Sequence, residues 1–559
     1  MRAPSKQQTQ RIAWIVLGVA MAASAAWLLF SARSTTFSGD DVYYYARYIA
    51  HGFDPETGSG IEYFLAPHNG HFSLGGKLIY RLLFETVGAD YTVFRAVNVV
   101  GILVAVGLFY LLARRRVGPV AALAPSILLL FFGYAWEVLI WAFDMHTVYA
   151  LVFGLGALLA LEGEERRRND VLACVLLVLA VTMIELGLAF VVGVAVSVLL
   201  RGDRWRRCWI FLVPMVLYGI WLLWAHQFHQ STVTPANVRL IPITAVDTLS
   251  AIAGSVTGLN PTGAGVPVPT VGVTAAGTVL AFLFVLALAH RIRLGKVPPS
   301  LWTFAAVAVS YWITIALGDR APDSSRYLFA GTVLVFLVAA DALKGFALRP
   351  LAVAAAFVVL ALALPANIAK YYDGRRLLLN DAAATETEYA MLDLARDRVK
   401  PGYAPGNDHA VERKGGNVYA SLRSGNYFRA AREFGSLSAS LVEVRDQPLN
   451  FREVADATLA DADRLGLRPA SAPASVAACL EAAATPEKPI FFPLPARGVV
   501  LGSRSGEAVE VRLSRFAKDG AGFRIGQLEP GTWAELRAPK DAAPEKWLVV
   551  LFGAAEVCK

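Results

Sequence analysis

Long apolar runs punctuated by short arginine clusters are the feature that most constrains this chain. Residues 151–161 and 351–364 are almost wholly apolar, and clusters such as Arg114, Arg115 and Arg116 or Arg166, Arg167 and Arg168 separate runs of this kind. About 20 apolar residues, rising ~1.5 Å each, cross the ~30 Å hydrocarbon core of a bilayer as a helix. Apart from closed barrels, only helices satisfy their own backbone polar groups there. The pattern therefore predicts a polytopic α-helical membrane protein. Composition agrees, with 56% hydrophobic and 17% charged residues among 559 and a mean hydropathy of +0.49; soluble chains carry about 25% charged residues. The formal charge of +8 lies largely in short loops beside apolar runs, where it sets orientation. No basic stripe interleaved with aromatics occurs, which sets nucleic acid aside.

Spans are expected near residues 13–30, 94–112, 117–134, 147–161, 209–225, 271–289, 301–317, 327–340 and 351–364. The first follows Arg2, Lys6 and Arg11 without a small-residue cleavage site, so it reads as a retained helix with a cytoplasmic N-terminus. Residues 171–200 are too long for one ordinary span and are flanked by arginines on both sides. The chain must return to its starting side, which predicts two short helices meeting near Ile184–Glu185–Leu186. The count is then about eleven crossings, and everything after residue 364 falls outside the cytoplasm. Three outer segments are large enough to build a site: 31–91, with an amphipathic helix at 42–49; 226–270, rich in Pro, Thr and Gly and expected as a mobile lid; and 318–326. The organisation expected is a transmembrane module at 1–369, a helical extracytoplasmic segment at 370–474 with a linker at 469–474, and a β-rich domain at 475–559, together an α+β unit ending in a small β-sandwich. Cys479 and Cys558 bracket that last part and are expected to form a disulfide outside the cytoplasm. Cys174 and Cys208 read as small buried hydrophobes.

Four constellations carry chemistry. Asp40 and Asp41, in Ser38-Gly39-Asp40-Asp41-Val42-Tyr43-Tyr44-Tyr45, follow the first span. Close like charges raise one pKa and leave a group able to take a proton from an attacking hydroxyl; the plain alternative is helix capping. His68 and His71 in Pro67-His68-Asn69-Gly70-His71 suit a phosphate, a metal or a substrate hydroxyl, or are polar loop residues. Asp144 lies at an outer helix boundary beside Trp136, Glu137 and Trp141, where tryptophans are ordinary interfacial anchors and Glu137 is the weaker candidate. Arg320, Arg326 and Tyr327 stand in the loop before a late span. Arginines there hold a lipid phosphate by paired charged hydrogen bonds, snorkel at a helix end, or pair with Asp323. Glu185, a carboxylate in an apolar run, must face a cavity on the same side. No CxxC occurs and nothing calls for a cofactor; a divalent metal is an option without support.

The acidic pair after the first span, Asp40-Asp41-Val42-Tyr43-Tyr44, together with this layout, resembles the GT-C superfamily of polyprenyl-phosphate-sugar-dependent glycosyltransferases. Its members include protein O-mannosyltransferases, lipid A aminoarabinose transferases and actinobacterial arabinosyltransferases. The resemblance covers residues 1–370 in layout. It implies a single inverting displacement with Asp40 or Asp41 as base, Asp40 slightly preferred. It also implies Asp144 as the second-loop acidic residue and Arg326 as the lipid-phosphate arginine. The partners implied are a polyprenyl-phosphate-linked sugar, a glycan, glycolipid or protein acceptor, and the bilayer of the inner (plasma) membrane, in cell-envelope polysaccharide biosynthesis. The rival readings are an O-antigen polymerase or ligase, which places its key groups in a large late loop, and a lipid-linked sugar transporter or flippase, which calls for broken spans with midplane charge.

Overall fold

The computed structural model describes residues 5–48, 60–163, 166–229, 233–263, 270–295, 297–405, 423–473, 479–485, 487–503 and 507–558. Parts of the first two outer segments (49–59, 230–232 and 264–269), of the expected helical segment (406–422) and of the expected linker and β-rich domain (474–478) lie outside them. The chain separates into two compact units. One comprises Met1–Thr35 and Gly52–Leu378, the other Thr36–His51 and Leu379–Lys559.

In the first unit, helix α1 is Lys6–Ser31; α2 (Asp40–Tyr48) belongs to the second unit and is described with it. Two amphipathic pieces follow, α3 (Ile61–Leu65) and α4 (Leu74–Val87), and then α5 (Tyr91–Val117). The stretch expected as one span at 117–134 is broken. Helix α6 covers Leu123–Leu130, a 3-10 turn covers Gly133–Ala135, and α7 is Trp136–Ile140. The reason is close packing: a Cβ on Gly133 would lie 1.7 Å from the backbone oxygen of Asn367. Helix α8 is Met145–Leu161, and the expected pair of short helices is present as α9 (Arg167–Met183) and α10 (Leu186–Leu199), with the break at Ile184–Glu185. There a Cβ on Gly187 would stand 2.4 Å from the carbonyl of Ala180, so only glycine lets the two helices meet.

After the short α11 (Arg204–Arg207) come α12 (Trp209–Ala225), α13 (Ile241–Thr257), α14 (Ala275–Arg293), α15 (Pro299–Leu317), α16 (Ser325–Ala342) and α17 (Pro350–Leu394). Among the described residues, ten helical segments are long and apolar enough to cross a membrane. Apolar side chains such as Val216, Leu223, Phe282, Leu351 and Leu362 stand exposed on three of them, as lipid-facing groups do. This is a multi-pass membrane protein.

One of the ten corrects the expectation of a lid at 226–270. Helix α13 occupies the middle of that segment, with Pro242 in its first turn, where a missing N–H costs nothing, and Thr244, Thr248, Ser250 and Ser255 turned inward. Both ends of this stretch lie toward one side of the bundle. Asn237, just before α13, donates to the C-terminal carbonyl of α15 at Leu317, 2.8 Å away. Gly258, just after it, packs on Ala363 of α17. Ala363 is seven residues, or about 10 Å, from Lys370, whose Nζ reaches the Thr270 carbonyl beside Ser324. Helix α13 therefore starts and finishes toward the end where α16 begins, and adds no net crossing.

The opposite end collects the arginines. Arg116 of α5 donates to Asp341 of α16 at 2.8 Å and pairs with Glu162 after α8, while Arg201 after α10 donates to Leu161 O at 3.0 Å and Arg291 of α14 to Ala342 O at 2.9 Å. Helix α17 is another departure. The span expected at 351–364 and the start of the helical segment expected from 370 are one 45-residue helix that continues through Pro365.

The second unit opens with α2 and continues with α18 (Ser424–Phe434), α19 (Leu441–Asp446) and α20 (Leu449–Ala462). Among the described residues nine strands follow: β1 (Arg468–Ala470), β2 (Leu480–Ala483), β3 (Ile490–Pro493), β4 (Val499–Ser503), β5 (Val509–Ser514), β6 (Phe523–Leu528), β7 (Trp533–Leu536), β8 (Leu548–Phe552) and β9 (Ala554–Cys558). They form two antiparallel sheets, ordered β1-β7-β4-β9-β2 and β3-β8-β5-β6. The expected linker at 469–474 instead begins with β1, which pairs with β7. In β5 the alternation buries Val509, Val511 and Leu513, the period-2 signature of a half-covered strand. Asp456 of α20 accepts the backbone N–H groups of Arg515, Phe516 and Ala517 and so pins that helix to the sheet. Cys479 and Cys558 are bonded, tying the entry of β2 to the end of β9.

Replacing Gly187 by Val should pry α9 from α10 and destabilise the protein by about 1–3 kcal/mol. A lowered thermal unfolding midpoint in detergent is the outcome expected; an unchanged midpoint would mean the bend is slack.

Candidate functional site

At the bundle end opposite the arginine clusters, two cationic side chains are braced by acids. Arg326 opens α16. Its Nη2 donates to Glu137 Oε1 at 2.9 Å, its backbone N–H to Glu137 Oε2 at 3.0 Å, and Ser325 also donates to that oxygen. Glu137, on the short helix α7, is buried, whereas about a third of the Arg326 side chain remains accessible. The guanidinium stands over the Trp141 ring, 5.4 Å from its centroid. Six residues earlier, Arg320 Nη2 lies 3.3 Å from His71 Nε2, and His71 Nδ1 lies 2.5 Å from Glu185. An arginine only donates, so His71 accepts at Nε2 and donates from Nδ1 to the carboxylate. Burial alone raises the pKa of Glu185. The hydrogen bond from His71, with the positive charge of Arg320 behind it, outweighs burial and holds the carboxyl below its usual value.

Tyr327 joins the two groups, lying within electrostatic reach of Arg326, Arg320, Glu137 and Asp144. Asp144 is buried and also acts on Arg326. His68 and His71 face each other across a two-way backbone bridge of 3.0 and 2.9 Å, with Asn69 and Gly70 at positive φ in the turn between them. His68 rests against Phe143, which also touches His146. Helix α4 approaches so closely that a Cβ on Gly76 would meet the His146 ring at 1.8 Å. Lys77 on the same helix is buried and donates to the carbonyls of Tyr63 and Ala66, fixing the entry to the histidine turn.

The fold thus gathers His68, His71, Asp144, Glu185, Arg320, Arg326 and Tyr327. Asp40 and Asp41 fall in the second unit, in the first turn of α2, where both are buried. Several residues carry more of the site than their sequence context foretold. Glu137, ranked below Asp144, is the direct partner of Arg326. Asp323, the alternative partner, instead accepts Gly272 N–H at 3.0 Å. Trp136 and Trp141, expected as interfacial anchors, are buried, and Trp136 packs where a Cβ on Gly374 would clash. Among the described residues no group of three or more His, Cys, Asp or Glu is arranged to hold a metal ion.

Chemically, the arrangement presents two guanidiniums fixed from one side. An arginine with part of its donor fork engaged keeps other N–H groups for a phosphate. Holding the fork in place also removes rotamer entropy that a ligand would otherwise have to quench.

No protein-family model and no curated protein sequence matches the chain. Among the solved structures that resemble it are two membrane-protein structures. One is ArnT from Cupriavidus metallidurans bound to undecaprenyl phosphate, at 15% identity and a TM-score of 0.41, covering 73% of this chain and 84% of that one. The other is the arabinosyltransferase EmbB from Mycobacterium smegmatis, at 13% identity and a TM-score of 0.37, covering 97% of this chain and 64% of that one, so this chain spans less than two thirds of its length. At that distance chemistry has to come from the residues themselves.

Glu185→Gln keeps the shape of the brace and removes its charge. A folded pKa below the unfolded one contributes stability above the unfolded value, and that contribution disappears as pH falls through the folded value. The variant should therefore be less stable by about 1–3 kcal/mol at pH 7. It should approach the parent in strong acid. Unfolding midpoints in detergent across that pH range check this; a gap that stays constant with pH contradicts it.

Proposed function

We propose that this protein transfers a sugar from a polyprenyl-phosphate carrier to a hydroxyl group of a glycan, glycolipid or protein. The observation that carries the reading is the α15–α16 turn, where Arg320 and Arg326 are braced by His71 with Glu185 and by Glu137 at the end of an apolar helical bundle. The accessible N–H groups suit phosphate oxygens, and the exposed apolar helix faces suit a polyprenyl chain.

In the reaction so read, the acceptor oxygen attacks the anomeric carbon from the face opposite the phosphate. The carbon–oxygen bond to phosphate breaks, its electron pair leaves on the phosphate oxygen, and the arginines offset the charge that develops there. The hydroxyl proton passes to a carboxylate, for which Asp40 or Asp41 is proposed, since neighbouring like charges raise one of the two pKa values. A single displacement of this kind inverts the anomeric centre. The second unit is read as extracytoplasmic and the N-terminus as cytoplasmic, in the inner membrane. The Cys479–Cys558 disulfide and the arginine-rich opposite helix ends support that orientation.

Purified protein supplied with a panel of polyprenyl-phosphate sugars should transfer at least one of them. Asp40→Asn or Asp41→Asn should slow kcat by about 10²- to 10⁴-fold. Arg326→Lys should lower kcat and kcat/KM for the donor by about 10-fold, because an ammonium lacks the planar fork that meets the developing charge. Two acid variants as active as the parent remove the base assignment. Carrier movement across vesicles without any transfer overturns the enzymatic reading.

A further inference from the structure

We infer that the C-terminal domain builds the cradle of the acidic pair, with Tyr45 as the positioning residue that fixes the rotation of α2. This rests on the reading of Asp40 or Asp41 as the proton acceptor. Residues 36–51 leave α1 and precede α3 in the chain, yet they cluster with residues 379–559. Within that unit α2 packs against α18, although nearly 400 residues of sequence separate them (Tyr45 and Gly435 differ by 390).

The contact is specific. The Tyr45 hydroxyl donates to the carbonyl of Gly435. Gly435 closes α18 with φ at +99°, a backbone conformation that side chains avoid, and its N–H returns to Ala431 O. The direction of the accepting carbonyl is therefore set by the helix end itself. Helix α18 is in turn fixed to α17. Tyr427 stacks on Tyr389 at 4.2 Å and 20°, and donates to Asp393 Oδ2 at 2.9 Å. Ser436, next to Gly435, donates to the same oxygen at 3.0 Å, while Arg396 holds the other at 2.7 Å. Burial, with Tyr427 and Asp393 nearby, pushes the Tyr45 phenol far above its ordinary value, so it stays a donor at every physiological pH.

Helical geometry turns this contact into a constraint on chemistry. Asp41 and Tyr45 are four residues apart and share one face of α2; Asp40 lies about 100° around the same turn. Ring contact with Phe37, 6.3 Å between centroids, steadies Tyr45 from the preceding loop. Losing the hydroxyl removes the bond that ties the rotation of α2 to the end of α18. A shift of about 1 Å at a reacting group costs on the order of 100-fold in rate.

The test uses the full-length protein and the best donor from the polyprenyl-phosphate panel. Tyr45→Phe, which keeps the ring, should lower kcat about 10- to 100-fold and leave the donor KM within about 2-fold. Combined with whichever of Asp40→Asn and Asp41→Asn is slower alone, it should add no further loss, because it acts through that carboxylate. Full turnover in Tyr45→Phe, or losses that multiply in the double variant, overturn the inference. Limited proteolysis gives a readout without turnover: cleavage within residues 36–51 should be faster in Tyr45→Phe than in the parent, and equal cleavage overturns the cradle. If both acid variants are fully active, the base assignment fails on its own account, and the proteolysis result alone then upholds or overturns the docking of α2.

Discussion

A charge cannot be left alone in the low dielectric of a bilayer, and this constraint arranges the helical unit. Desolvating one ion costs several kcal/mol unless a partner and hydrogen bonds compensate. Arg116 meets the requirement with Asp341, Glu162 and the Leu112 carbonyl, and its guanidinium lies over Phe304. Arg95 meets it with the last carbonyls of α1, at Leu28, Leu29 and Ala32. These are knots that tie helices together. At the other end the same rule yields Glu137 with Arg326 and Glu185 with His71 and Arg320, but there Arg326 and the His71–Glu185 pair are only partly covered. Partial exposure separates the candidate site from the knots: the pairing is the same, and part of each cation is left for something else.

Much of the helical layout was legible because the membrane imposes a length and the arginines impose a side. The break at Ile184–Glu185 followed from clusters at both ends of a run too long for one span and too short for two. The disulfide followed from the placement of Cys479 and Cys558. Helix α13 was hidden because its inward face is Thr and Ser, which read as loop chemistry when their burial is unknown. The break at Gly133 and the continuity of α17 through Pro365 were hidden for a related reason. Neither can be read from pattern alone: Asn367 O comes against Gly133, and α17 runs on past the missing N–H of Pro365 without ending.

The site was legible as a set of residues and illegible as a set of partners. Arg326 stood out as an arginine in the outer loop before a late span, yet its acid is Glu137, 189 residues earlier, between two tryptophans that looked like interface anchors. His71 and Glu185 were each singled out without any sign that they touch. Nothing in the sequence tied Tyr45 to Gly435, since a single hydroxyl-to-carbonyl bond across such a separation leaves no periodic trace. Periodicity reports which face is buried, and only the fold reports against what.

The charge count of the gathered cluster bears on how such a site turns over. In and around it Lys77, Arg320 and Arg326 stand against Glu137, Asp144 and Glu185, three against three, with His71 joining Arg320 to Glu185. A cluster with surplus positive charge would bind a phosphate tightly before and after the reaction alike, and uniform binding of that kind does not raise kcat. A balanced cluster with rigid, partly engaged guanidiniums behaves differently. It offers directed N–H groups, which respond most strongly to the charge that develops on the leaving oxygen, while the net field toward a resting phosphate stays small. On the proposed reading, the carboxylates behind the arginines therefore do more than neutralise buried charge. They set how firmly the spent carrier is held, and so how readily it leaves.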